Sequence, residues 1–372
     1  MWHGKVQGLA VGYIVEPVVL SHASSSYQVI GAEDCTTVFN IPNAVISVTN
    51  RHYRLPPTST KPTSQMSRLP KAKLEKEDIL TFALKPSELT WKWGYPDSKD
   101  ISLFGDTAGS TPSGEGERQR CDRCKSIYTV SSDLAGKERE CRHHYAKAKP
   151  VLGRGKIWRH ECCDRQQYTE GCSYGYHVFR HNDDDKALAK REGYKSVKEY
   201  AEDGEKDKDW VDVVALDCEM IYTLAGLSLA RVTIINTAEK VLLDEFVKPT
   251  QKVIDYNTNF SGITKSNLDG ATLDLEGACA AVCKFIGPET IIVGHGLEND
   301  LRALRLFHDQ FVDTSALFPH PRGLPRRRGL RQVVKEKLGY SIQDLQDKLG
   351  HNSVVDATAA VDLVRWNMLK RR

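Results

Sequence analysis

The run Val214-Ala215-Leu216-Asp217-Cys218-Glu219-Met220 places two acids two residues apart inside an otherwise apolar segment. Side chains at i and i+2 of a strand leave from one face, so Asp217 and Glu219 would stand side by side. Two such carboxylates lose hydration on burial and repel each other. Divalent cations remove both costs, since hard Mg²⁺ takes carboxylate oxygens. The alternative places both acids at a frayed strand end in water.

Asp300 comes next in the chain, after the apolar run Ile291-Ile292-Val293-Gly294 and the turn His295-Gly296. It falls in the first turn of a helix expected to start near Leu297, where the helix dipole alone would favour an acid. Finally, His351-Asn352-Ser353-Val354-Val355-Asp356 precedes an amphipathic helix running to about Met368. Ser353 and Asp356 match the [ST]-x-x-[DE] capping pattern, which offers Asp356 an ordinary role and leaves His351 in the connecting loop. Together, three separate elements each present an acid near a strand or helix end, and one adds a histidine. Two metals about 3.5–4 Å apart, held by shared carboxylates, clamp both the attacking and the leaving oxygen of a phosphodiester. A neutral histidine beside them suits a general base.

A second set of chemical residues precedes these. Cys121-x2-Cys124, Cys141-x2-His144, Cys162-Cys163, Cys172 and His177 fall within a block of about 60 residues. C-x2-C with a distant C-x2-H supplies four ligands at tetrahedral zinc spacing. Cys121, Cys124, Cys141 and His144 are expected to share one zinc, with interleaved pairing as the open alternative. Cys162 or Cys163, Cys172 and His177 would form a second site, with His160 as a candidate fourth ligand. Free thiols or disulfides are the competing readings. Cys279 and Cys283, at i and i+4 of one helix face, are better explained by packing.

The elements that must position these groups follow from patterning. Val211–Met220, Leu229–Thr237 and Lys240–Val247 are apolar runs separated by short breaks, which predicts a three-strand meander. A helix near Leu273–Phe285, a strand at Thr290–Gly294, a helix at Leu297–Phe307, a strand at Phe311–Leu317 and helices from about Leu330 and Val354 follow. Strands and then alternating helices and strands predict a mixed-sheet α/β domain over residues 210–372. Residues 181–209 read as an exposed charged connecting helix, 121–180 as the Cys/His module, and 74–120 as a helix (Leu74 to about Lys85) with linker. Residues 1–73 read as weakly structured, with short β-branched runs such as Ala44–Thr49 and a Pro/Ser/Thr/Lys-rich linker at Pro56–Pro70.

Composition sets the outer limits. The 372 residues are 40% hydrophobic and 27% charged, enough for at least one core, with 52 basic and 49 acidic residues giving a net charge of +3. Any nucleic-acid footprint must therefore come from local clusters. The loop Arg322-Gly323-Leu324-Pro325-Arg326-Arg327-Arg328-Gly329-Leu330-Arg331 is such a cluster. Arg326, Arg327 and Arg328 are expected to hold a phosphate backbone without reading bases. A solvated charge run or a nuclear localisation signal would look the same. No apolar run reaches the ~18 residues of a membrane span, so no membrane partner is expected. Glu16 and Pro17 interrupt the apolar opening Leu9–Leu20, which argues against a secretory signal.

D-C-E, H-G-L-E-N-D-L and H-x4-D, in this order, resemble the three motifs of the DEDDh superfamily of 3′→5′ exonucleases. Asp255-Tyr256-Asn257-Thr258, Phe260-Ser261-Gly262-Ile263-Thr264, Asp313-Thr314-Ser315-Ala316-Leu317-Phe318-Pro319-His320 and His351-Asn352-Ser353-Val354-Val355-Asp356-Ala357-Thr358 look like the RNA exonuclease 1 (REX/GOR) family. The resemblance spans about residues 205–372. It implies a ribonuclease H-like fold, two Mg²⁺ or Mn²⁺ ions, and release of nucleoside 5′-monophosphates from an RNA 3′ end, with single-stranded DNA as the other substrate. Asp217, Glu219, Asp300 and Asp356 would be the metal ligands and His351 the general base. Met220 and Phe260 are candidate contacts to the terminal nucleoside. Ser228 and Asn259 stand where relatives often carry Glu and Arg, which bears on the choice of RNA over DNA. The Cys/His block also resembles the segment that precedes the exonuclease domain in this family, which supports Zn²⁺. A nuclear location is the expectation. The reading of a different class is a noncatalytic nucleic-acid or protein adaptor; the intact acids and His351 argue against it.

Overall fold

A computed structural model describes residues 36–41, 44–49, 74–97, 108–151, 157–180, 184–202, 208–343 and 350–371. The linker expected at Pro56–Pro70 lies outside them. The chain forms two units, residues 1–64 and 65–372. In the first, Thr36–Ile41 and Ala44–Thr49 pair as an antiparallel hairpin, with Thr36 opposite Thr49 and Ile41 opposite Ala44.

The second unit is built on a six-stranded mixed sheet. Its strands are β1 (Val213–Thr223), β2 (Gly226–Asn236), β3 (Val241–Phe246), β4 (Val253–Asp255), β5 (Ile291–Gly294) and β6 (Phe311–Asp313). They run in the order β3-β2-β1-β5-β6, and β4 pairs with the far end of β1. The meander β1-β2-β3 is antiparallel, as the short breaks between apolar runs require; β5 and β6 join it in parallel after helical crossovers.

Alternation along β1 assigns its two faces. Val214, Leu216 and Cys218 enter a core with Ala278, Cys279 and Val282 of α1 (Leu275–Cys283) and Leu301 of α2 (Glu298–Leu304). Val213 and Ala215 enter the opposite core with Ala357, Ala360, Val361 and Val364 of α4 (Ser353–Arg371). The parity of Asp217 and Glu219 is that of Val213 and Ala215, so both acids leave on the α4 side. α3 (Leu330–Lys337) packs against α4, its Leu330, Val333 and Val334 meeting Ala359 and Leu363 in a separate core.

Several boundaries differ from expectation for local reasons. The helix expected over Leu74–Lys85 is confined to Lys76–Leu80, because Leu74, Ile79 and Phe82 are drawn into the core and the Leu84 amide donates to the Phe311 carbonyl at the sheet edge (2.8 Å). The strand expected to reach Leu317 stops at Asp313, whose carboxylate accepts from the Ser315 amide (2.8 Å) and starts the short helix Thr314–Leu317. The exposed connecting helix expected over residues 181–209 is replaced by two short helices, Asp185–Arg191 and Val197–Glu202. They bury Leu188, Ala189 and Val197, and Asp185 accepts from Arg302 on α2 at 2.6 Å.

Candidate active site and Cys/His clusters

Three elements deliver the acids. Glu219 lies at the end of the regular register of β1, just before a bulge between Glu219 and Met220, opposite Arg231 on β2. Asp356 sits in the first turn of α4. The Glu219 and Asp356 carboxylates and the His351 ring gather so that one ligand atom of each lies within 4.8 Å of the others. Asp217 and Asp300 lie outside this tightest set but border it. The Asp300 carboxylate accepts from the Cys218 amide at 3.0 Å, which ties α2 to the residue between the two β1 acids.

The acids are electrostatically unsettled. Burial and repulsion from Asp356, with Arg231 opposing, push the Glu219 carboxyl up to about 9. Burial pushes Asp356 up to about 6, against the lowering effect of the Gln343 amide that donates to it at 2.6 Å. Asp217 is raised well above the carboxylate range by burial and by Asp356, Asp300 and Glu219; Asp300 is raised by burial and by Glu298. Glu219 Oε1 and Asp356 Oδ1 are buried without a hydrogen-bond partner among the described residues. Buried, unpartnered carboxylate oxygens on residues this close together fit divalent cations, which would supply the missing positive charge.

His351 is held from behind. Its amide donates to the Phe260 carbonyl at 2.7 Å, and its ring meets the Phe260 ring edge-on at 6.2 Å. Burial and the nearby Arg331 pull its imidazole down to about 4, so it is neutral at pH 7. The capping pattern assigned to Ser353 and Asp356 is corrected: Asn352 accepts from the Val354 amide (3.1 Å), and the Ser353 hydroxyl meets Thr233 on β2 (2.6 Å). Asp356 is thereby released from a capping role. Met220, expected beside the terminal nucleoside, is half-buried against the core that contains Cys218, on the side away from the acids.

The basic loop is also corrected. Arg327 donates to Glu298 (2.7 Å), Ser315 (3.3 Å) and the Trp93 carbonyl (2.5 Å). Arg328 is buried and ion-paired with Glu336. Both stiffen the protein rather than offer free forks to phosphate, whereas Arg326 is exposed. Residues that sequence reasoning missed include Gln343 and Arg231, while Arg331, the last residue of the basic loop, acts on His351. Arg231 was discoverable, because the meander register sets it opposite Glu219; Gln343 carries no pattern that points to the site.

The Cys/His block forms two clusters, Cys121/Cys124/Cys141/His177 and His144/Cys162/Cys163/Cys172. The expected grouping of His144 with the first three cysteines is therefore corrected, and His177 takes that place. Cys141 opens the strand Cys141–His143 and His144 follows its last residue, and the two side chains go to different clusters. The strand Cys141–His143 pairs with Ser173–Gly175, which carries His177 back to the first cluster. Sγ···Sγ separations of 3.6 Å (Cys121–Cys141), 3.6 Å (Cys162–Cys172) and 3.9 Å (Cys162–Cys163) match the ~3.8 Å edge of a tetrahedron with 2.3 Å Zn–S bonds. His160 is not in either set: its Nδ1 meets the Ala146 carbonyl (2.9 Å) and its ring stacks on His144 at 3.6 Å.

Residues 214–364 match the family model described as Exonuclease. Exonuclease GOR of Pan troglodytes is 33% identical over 347 residues, covering 91% of this chain and 48% of that protein. RNA exonuclease 1 homolog of Homo sapiens is 38% identical over 251 residues, 67% of this chain and 20% of that protein. The chain belongs to the REX/GOR family of DEDD exonucleases. RNA exonuclease 3 of Schizosaccharomyces pombe is 35% identical over 309 residues, 78% of this chain and 53% of that protein. The chain spans about half the length, or less, of these REX/GOR relatives. The match to Exonuclease GOR takes in most of the chain and so extends beyond the exonuclease domain.

Proposed function

We propose that this chain is a metal-dependent 3′→5′ exoribonuclease that releases nucleoside 5′-monophosphates from RNA 3′ ends in RNA processing or decay. The observation that carries the reading is the convergence of buried acids with orphaned oxygens on a neutral, backbone-anchored histidine. The relatives named RNA exonuclease 1 homolog and RNA exonuclease 3 support RNA as substrate.

Asp217, Glu219, Asp300 and Asp356 would hold two Mg²⁺ or Mn²⁺ ions, whose Lewis acidity stabilises charge on the attacking and leaving oxygens. His351 accepts the proton of the attacking water as its oxygen bonds to phosphorus. The bond from phosphorus to the 3′-oxygen of the penultimate nucleotide breaks, and that oxygen leaves as a 3′-hydroxyl after taking up a proton. The terminal nucleotide departs with its 5′-phosphate. Phe260, whose ring meets that of His351, is read as bordering the terminal nucleoside, and exposed Arg326 as meeting the strand backbone. The two Cys/His clusters are read as structural Zn²⁺ sites on the strength of their sulfur geometry. A nuclear location belongs to the same reading, supported by the basic loop and family resemblance, and imaging of a tagged chain tests it.

The test is a gel assay with 5′-labelled single-stranded RNA and the matching DNA, with Mg²⁺ or Mn²⁺ against EDTA, beside Asp217→Ala. The expected result is a metal-dependent one-nucleotide ladder shortening from the 3′ end of RNA and absent in the variant. A faster ladder on DNA would move the substrate class. No ladder on either strand from folded protein would sink the nuclease reading and favour the adaptor.

A further inference from the structure

We infer that Arg123, in the Cys121-Asp122-Arg123-Cys124 knuckle, is a positioning residue for His351 and acts on it through Asp255. The inference rests on the nuclease reading for the role of His351, but the contacts stand without it.

Arg123 leaves the first Cys/His cluster and donates to Asp255 Oδ2 at 2.6 Å, with its guanidinium 5.3 Å from the centre of the Tyr222 ring. The pair is shielded, with side-chain exposures of 15% and 24%. Gly175 makes room for it: a Cβ there would lie 3.2 Å from Arg123 Nη1 and 3.8 Å from Asp255 Oδ2. The neighbouring Asp122 fixes the knuckle to the same strand, accepting from the Tyr222 hydroxyl at 2.8 Å.

Asp255 has a second task. Its Oδ1 accepts from the Asn257 amide at 2.7 Å, and Asn257 has a left-handed backbone (φ +54°), so the side chain of Asp255 sets the direction in which the chain leaves β4. The Asn257 carbonyl accepts from the Phe260 amide (2.9 Å) and the Ser261 amide (3.0 Å), which makes the turn rigid. The Phe260 carbonyl then receives the His351 amide at 2.7 Å. An unbroken series of short polar contacts therefore runs from the knuckle to the backbone of the base. Losing the guanidinium leaves Asp255 free to rotate and release the Asn257 amide. The turn and His351 then shift together, and a misplacement of about 1 Å at a catalytic group costs up to about 100-fold in rate.

The experiment compares wild type, Arg123→Ala, Asp255→Ala, His351→Ala and the double variant Arg123→Ala/His351→Ala, each checked for folding by its melting curve. On single-stranded RNA with Mg²⁺, Arg123→Ala and Asp255→Ala are expected to lower kcat about 10-fold or more and leave KM within about 2-fold. Adding Arg123→Ala to His351→Ala is expected to cost nothing further, since the base it positions is gone. Hydrogen exchange gives a reading independent of activity: the segments 255–261 and 350–356 should exchange faster in Arg123→Ala. Equal fold-losses with and without His351, or unchanged kcat with unchanged exchange, would overturn the inference. A wild type without activity but with faster exchange in Arg123→Ala would overturn the nuclease reading and leave the linkage standing.

Discussion

Glu219→Gln should abolish RNA cleavage and, in buffer free of Mg²⁺ and Mn²⁺, make the protein more stable. The Glu219 carboxyl is raised from 4.5 to about 9 by burial and by Asp356. A carboxyl raised in the folded state keeps its proton where the unfolded chain has released it. Folding is therefore unpenalised below pH 4.5, loses stability steadily as pH rises, and stops losing it near pH 9. At pH 7 the penalty is 2.5 pH units at 1.36 kcal/mol each, about 3 kcal/mol. Glutamine keeps the shape and cannot ionise, so the variant recovers that amount, about 5 °C in melting temperature for a chain of this size. Urea melts of both proteins at pH 4, 7 and 9 measure it. The gap should be near zero at pH 4 and widest at pH 9. Saturating Mg²⁺ should raise the wild type at pH 7 and move the variant much less. A gap that does not grow with pH would mean that Glu219 is solvated, and the reasoning that makes it a metal ligand would fail.

Other expectations follow from single contacts. Gly350→Ala places a Cβ 2.1 Å from the Gly262 amide nitrogen at φ +72°, so the loop must move and carry His351 with it; kcat should fall about 10-fold or more with the fold intact, and an unchanged kcat would show that the loop is not bound to this position. Metal analysis should find two Zn²⁺ per chain, with one lost in His177→Ala or in His144→Ala; loss of the same ion in Cys121→Ser and His144→Ala would refute the interleaved clusters. Arg327→Ala leaves Glu298 half-buried without its cation and should cost about 3 kcal/mol in a urea melt. Arg326→Ala should cost under about 0.5 kcal/mol of stability and raise KM for RNA, and the reverse ranking would restore Arg327 as the strand contact.

The parts of this molecule that were readable without coordinates are those where periodicity and chemistry agree. The meander, the face that carries Asp217 and Glu219, and the crossovers to β5 and β6 follow from period-two alternation and short breaks, because a slip of one residue would bury the wrong side of β1. The acids were visible because, although each has an ordinary structural explanation alone, three separate elements each bring one to a strand or helix end. What stayed hidden depends on partners far apart in the chain. Arg327 looks like a phosphate contact until Glu298 and the Trp93 carbonyl claim it, and residues 184–202 look solvated until Arg302 takes Asp185.

The Cys/His block shows a different reason. C-x2-H resembles one pair of ligands to one metal when the segment turns, but Cys141 lies in a strand that ends at His143, and His144 beyond it goes to the other cluster. Ligand spacing therefore constrains a site only once the local conformation is known. In this chain that conformation comes from the pairing of Cys141–His143 with Ser173–Gly175, about thirty residues away. The same pairing sets Gly175 beside Arg123, so the strand that separates the two clusters also makes room for the contact to Asp255. Splitting the ligands between two sites and joining the knuckle to the β4 turn are thus two consequences of one strand register, and a shift of that register would disturb both.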